Sequence, residues 1–168
     1  MIRDMKQLDN VRRECRAMVT KRSMMSAGAA VVPVPGADIV ADVGLLSNML
    51  PKISAKFELD HDQVEKLDPN MAQQVFVIAA SLGNNVIGRM VTRQMVIRLL
   101  KRFGVRLAAG SAAKYVPVLG SAVAATISFG AMKLAGNAHI DDCYKTAKAL
   151  IEQQAGQPRG TQDVAIST

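Results

Sequence analysis

Two stretches of this chain carry one pattern. "VVPVPGADIVADVG", from Val31, and "YVPVLGSAVAATIS", from Tyr115, align so that Val32, Pro33, Val34, Gly36 and Ala41 coincide with Val116, Pro117, Val118, Gly120 and Ala125. Ala37, Ile39 and Val43 are matched by Ser121, Val123 and Ile127, which change size more than character. Each stretch puts proline into an apolar, small-residue run. Proline lacks an N–H and pushes its predecessor out of the α region, so a helix arriving there must stop. The glycine three residues on suits a tight return. We therefore read Pro33 with Gly36, and Pro117 with Gly120, as matched structural turns joining apolar helices. The expected fold is all-α, a compact helical bundle of about six to eight helices built from two similar hairpins.

A chain of 168 residues fits one domain, which at this size buries roughly 70% of its unfolded surface. Aromatics are only 4% of residues, with ten Met and no Trp, so the apolar mass suits close-packed helices better than an aromatic-cored β-sandwich. Cys15 and Cys143 read as small buried hydrophobes in a reducing compartment. The charged start "MIRDMKQLDNVRRECR" lacks the apolar stretch of a signal peptide, so we expect a cytoplasmic protein. The longest uncharged windows, 23–37, 71–88 and 115–132, fall short of the about 20 strongly apolar residues of a spanning helix. Any membrane contact is thus expected to be peripheral.

Residues 3–22 read as a charged amphipathic helix running into "SMMSAGAAVV" and ending at Pro33 and Pro35. Asp38 and Asp42 suit the start of the next helix, which reaches Phe57 with Ile39, Val43, Leu46, Leu50 and Ile53 on one face. Asp60 and Gln63 have the spacing of a capping box, and Asp68–Pro69 that of an N-cap followed by N1. A helix over 69–82 follows, then a basic helix from the Gly83–Asn85 break to Phe103. Gly104 is expected to break or kink the chain before a small-residue helix reaching Tyr115. The second apolar helix is placed at 119–135, with Gly120, Ala124 and Ser128 leaving one face without bulk. "GNAH" then separates it from a last helix over 138–154, with Asp141 and Asp142 in its first turn. The organisation expected is one domain over 1–154 and a flexible tail over 155–168.

Catalytic and cofactor motifs find no support. "GNNVIGRM" (Gly83–Met90) has P-loop glycine spacing, but Arg89 and Met90 stand where Lys and Ser or Thr are needed, so no nucleotide is expected. His139 and Cys143 share a helix face, yet two ligands do not make a metal site. Neither cysteine has a base beside it in sequence. The chain is read as a non-enzyme without metal or cofactor.

Charge gives the sharper signal. The net charge is +7, and residues 89–106 hold Arg89, Arg93, Arg98, Lys101, Arg102 and Arg106 with no acid. Val96, Leu99, Leu100 and Phe103 fall on one side of that helix and Arg98, Lys101 and Arg102 on the other. A solvated face explains this blandly. Nucleic acid would call for aromatic or polar base-readers among the cations, and there are none. An anionic lipid surface needs only apolar and basic groups. The binding residues expected are Arg98, Lys101, Arg102 and Arg106, with Lys21 and Arg22 from the first helix.

With both turns in hand, the chain resembles a known family. "VVPVPGADIVADVGLL", "KFELDHDQVEKL" and "YVPVLGSAVAATISFG" are similar to the C-terminal helical region of immunity-related GTPases. They are also similar to a related hydrophobic helical domain of unknown function, found beside bacterial Era-like GTPases or alone. The similarity runs from about Val19 to Ile151, and the positions matching its motifs are Pro33, Gly36, Asp42, Pro117 and Gly120. It implies a helical bundle associated with membranes and self-assembly, and it supplies no catalytic residue. No G domain is expected in this chain, so nucleotide-driven switching does not carry over. The function expected is association with an anionic membrane surface or a protein partner, a GTPase or a second copy among them. The alternatives are an accessory subunit of a separate GTPase and an integral or pore-forming membrane protein.

Overall fold

The computed structural model describes residues 2, 4–29, 37–84, 86–110 and 120–156. Pro33, Gly36 and Pro117 lie outside the described residues, and Gly120 is the first residue of the last helix. Among the described residues, five helices of thirteen residues or more and one short one make up the fold: α1 Met5–Ala29, α2 Ala37–Lys56, α3 His61–Glu65, α4 Pro69–Ser81, α5 Arg93–Gly110 and α6 Gly120–Gly156. There is no strand among the described residues. The all-α expectation holds.

The longest helix organises the rest. α6 runs for 37 residues, about 55 Å at the α-helical rise, and α1, α2, α4 and α5 all pack on it. α1 also packs on α2. The core takes Leu8, Cys15 and Val19 from α1, Leu46, Met49, Leu50 and Ile53 from α2, and Met132, Ile140, Cys143 and Leu150 from α6. In α2 the steps 46–50–53 are three or four residues, and in α6 buried Ala135, His139 and Ala147 complete the same spacing between Met132 and Leu150, which lines one face of each helix. Val43, Leu46, Leu50 and Ile53 are all buried, as the apolar spacing requires.

Local chemistry fixes the middle of the chain. Asp60 accepts from the Gln63 N–H at 2.9 Å, and the Asp60 N–H donates to Gln63 Oε1 at 3.4 Å, closing the capping box of α3. Asp68 accepts from the Met71 N–H at 3.0 Å, with Pro69 opening α4. α2 ends with Glu58 at φ 58°, the Leu59 N–H donating to the Ser54 carbonyl and the Glu58 N–H to the Ala55 carbonyl. α4 ends in the same way around Gly83 at φ 74°, with Asn84 N–H to Ala79 and Gly83 N–H to Ala80. Both are Schellman stops.

The structure corrects three boundaries. The basic helix begins at Arg93, because Gly88 turns at φ 67° and Thr92 Oγ1 accepts from the Met95 N–H at 3.3 Å. Gly104 is no break, since α5 is continuous to Gly110; one glycine costs a helix only about 1 kcal/mol. "GNAH" is no break either, for α6 passes through it. Gly136 is a point of close approach: a Cβ there would lie 2.8 Å from both Val19 methyls. Asp141 and Asp142 therefore sit mid-helix and are not first-turn acids.

Candidate functional site

The basic face of α5 follows from what the helix buries. Val96 is fully buried, and Ile97, Leu99 and Leu100 pack half-buried against the core, where α5 meets α6 and α2. The opposite arc carries Arg93, Gln94, Arg98, Lys101 and Arg102, all exposed. Gln94, Arg98 and Arg102 lie at four-residue spacing, so they stack along one line with Lys101 beside it. Among the described residues no carboxylate pairs with Arg98, Lys101 or Arg102. Arg106 continues the helix, and its side chain lies outside the description.

The other two expected binding residues stand apart. Lys21 is exposed on α1, and Arg22 donates to Asn48 Oδ1 at 3.2 Å, which ties it to α2. α1 packs on α6 and α2, so these two stand on a different helix from Arg98, Lys101 and Arg102. Further up α1 the cations are partly neutralised. Arg12 and Arg16 both donate to Asp141 Oδ1, at 2.7 and 3.2 Å. Arg12 also stacks 4.4 Å over the Tyr144 ring, whose hydroxyl donates to Asp9 at 2.7 Å, a bond that raises the phenol above its usual pKa. Glu14 of α1 is taken up by Lys56 of α2 at 2.7 Å. Of the α1 cations, Arg12 and Arg16 are thus offset by Asp141, whereas among the described residues Arg98, Lys101 and Arg102 of α5 have no such acid.

One feature escaped the sequence reading although it stands in plain sight. No Asp or Glu occurs between Asp68 and Asp141, so α4, α5 and the first half of α6 are free of acid. A second could not be read from pattern: Phe76, Val77, Leu82 and Met90 are exposed to 40%, 60%, 43% and 67%. "VFVIAASL" reads as a core segment, but only Val75 and Ala79 of α4 are buried.

A cluster resembling catalytic machinery is sealed. His139 Nε2 lies 2.8 Å from Ser54 Oγ and 3.7 Å from Cys143 Sγ, and all three residues are buried. Burial depresses His139 to about pKa 4, and the hydrogen bond with the Leu50 backbone opposes this only in part. Burial also pushes the Cys143 thiol up, so it stays protonated and a poor nucleophile. Cys15 is likewise pushed up by burial, to about 11. Neither pairs in a disulfide. Among the described residues no group of three His, Cys, Asp or Glu is placed to hold a metal. In the P-loop lookalike, Asn84 is buried and donates to the Asp142 carbonyl and Thr146 Oγ1, both at 3.3 Å. The segment's glycines serve the α4 stop and the turn into α5.

These features define an all-helical module with an unpaired basic helix face. No family model matches the chain, and no solved structure matches it. The chain is a distant homologue of an interferon-inducible GTPase. It is 32% identical over 151 residues to interferon-inducible GTPase 5 of Bos taurus, an alignment taking in 83% of this chain and 31% of that protein. The chain thus spans about a third of the length of that relative. The resemblance to the immunity-related GTPases is borne out, at that distance. Among the described residues no helix is long and apolar enough to cross a membrane.

Proposed function

We propose that this chain is a non-enzymatic helical module that docks peripherally on an anionic membrane surface through α5. The carrying observation is the exposed, unpaired row Arg98, Lys101 and Arg102, with Arg106 on the same helix and no acid from Pro69 to Ile140. Each cation near an anionic surface contributes about 1 kcal/mol, so three give about 3 kcal/mol, a weak and reversible attachment. On this reading the module works in the cytoplasm without nucleotide or cofactor. The two Pro-x-x-Gly segments join α1 to α2 and α5 to α6 as matched turns, which the packing within each of those pairs supports. A second reading, an accessory role beside a separate GTPase, is favoured by the relative's name and by the fraction of it this chain spans.

Co-sedimentation with vesicles tests the first reading. Binding is expected to vesicles containing phosphatidylserine and to fall steeply with salt, since exposed charges are screened over about 8 Å at physiological ionic strength. Changing Arg98, Lys101 and Arg102 together to Glu is expected to weaken it at least a hundredfold, with helix content by circular dichroism intact. Absence of binding to anionic vesicles, or undiminished binding by the triple variant, would overturn the reading. In that event capture of a GTP-binding protein through α5 becomes the experiment for the second.

A further inference from the structure

Charge alone leaves the exposed apolar residues without a role. Positions 73, 76, 77 and 80 share the outer arc of α4, and there Gln73 is followed by Phe76, Val77 and Ala80, all exposed. A helix that has already buried Val75 and Ala79 would ordinarily present polar groups on that side. Met90, past the turn, is exposed as well, whereas Leu82, at the end of α4, is exposed on another side of that helix.

The corner is built to hold this surface in place. Gly88 lies beneath the Phe76 ring, where a Cβ would come 2.8 Å from Phe76 Cε1. Its N–H donates to the Leu59 carbonyl at 3.1 Å, which pins the turn. Asn84 is fastened to α6. Met90, two residues beyond Gly88, is thereby kept near the ring, and Arg89 and Arg93 flank it, both exposed. Acids stand close on the α3 side, where His61 Nδ1 lies 3.4 Å from the Gly88 carbonyl oxygen and Asp62 and Glu65 are exposed. One rim of the corner is basic and the outer arc of α4 is apolar.

We propose that Phe76, Val77 and Met90 form an insertion corner, entering the acyl region of an anionic phospholipid bilayer while Arg89 and Arg93 meet its phosphates. This rests on the membrane reading of α5 and adds the apolar anchor that reading lacks. A mixed apolar and basic surface is complementary to a lipid interface, where rings and thioethers bury among chains and guanidinium groups stay with the headgroups.

The chain has no Trp, so single tryptophans report their own depth. Met90→Trp and Phe76→Trp would be compared with Gln7→Trp, exposed on α1, using phosphatidylcholine–phosphatidylserine vesicles that carry brominated acyl chains. With protein shown to be vesicle-bound by co-sedimentation, Trp at 90 and 76 is expected to shift to the blue and be quenched at least twofold, and Trp at 7 to remain unquenched. Phe76→Ser, Val77→Ser and Met90→Ser together are expected to weaken binding at least tenfold without changing its salt slope. Bound protein with unquenched Trp at 90 and 76 overturns the insertion corner and leaves the α5 reading standing. Failure of the unsubstituted chain to bind at all sinks the α5 reading and this one with it. A lipid-free dimer that the serine variant dissolves, seen by sedimentation velocity, would assign the corner to a second copy and overturn the lipid proposal.

Discussion

Replacing Gly136 by Leu is expected to lower stability by about 3 kcal/mol, the upper end of what overpacking a helix interface usually costs. The α1–α6 contact closes at this residue. A first added carbon would meet both Val19 methyls at 2.8 Å and Met49 Cε at 3.0 Å, and both neighbours are fully buried. Met49 can bend away, but a helical valine is held to one rotamer, so Val19 cannot swing clear. The smaller change Gly136→Ala decides between propensity and packing. Propensity alone would stabilise α6 by about 1 kcal/mol, whereas a clash on two stiff methyls should make the variant less stable than the parent. Adding Val19→Ala to Gly136→Ala should recover part of the loss, a coupling that neither change alone would show. Urea titration of the four proteins reads it directly, and a stabilised Gly136→Ala variant would show that α1 simply moves away.

The same glycine explains where the sequence misleads. "GNAH" looks like an interruption because Gly and Asn are poor helix formers, and local propensity is all that a short window contains. The reason for Gly136 lies on another helix more than a hundred residues away, at Val19. Gly104 too is passed through by a continuous helix. By contrast, Asp60 with Gln63 and Asp68 with Pro69 act within one turn of chain, and those helix starts fall where the spacing puts them. Signals that are complete locally are legible; those that answer a distant partner are not.

The candidate site divides along the same line. The α5 face is legible because both its apolar and its basic positions lie on one helix. That Arg22 is drawn toward Asn48, and that Arg12 and Arg16 share Asp141, depends on the packing of α1 against α2 and α6. Counting charges along the chain therefore overstates the α1 end and leaves α5 as the stronger candidate. Exposure of Phe76 and Val77 is likewise a property of how few neighbours α4 has on its outer side.

Acid should loosen this fold well before its exposed carboxylates titrate, and His139 is the cause. Its ring is buried between α2 and α6, next to Ser54 Oγ and Cys143 Sγ, and no carboxylate bonds to it. Burial holds its pKa near 4, against 6.5 for an exposed histidine. The unfolded chain therefore binds a proton between those values that the folded chain refuses. Stability from this residue is complete above pH 6.5 and is lost as pH falls toward 4, in all about 3 kcal/mol. Asp142 works in the opposite direction, since burial raises its carboxyl above the usual value, and what it contributes grows as pH falls. The two are separated by substitution. His139→Gln keeps a polar group for Ser54 and cannot gain the proton, so between pH 6.5 and 5 its urea midpoint should stay flat while that of the parent drops. A parent midpoint as flat as that of the variant would mean that the buried imidazole takes up its proton without cost, and that water or a carboxylate reaches it.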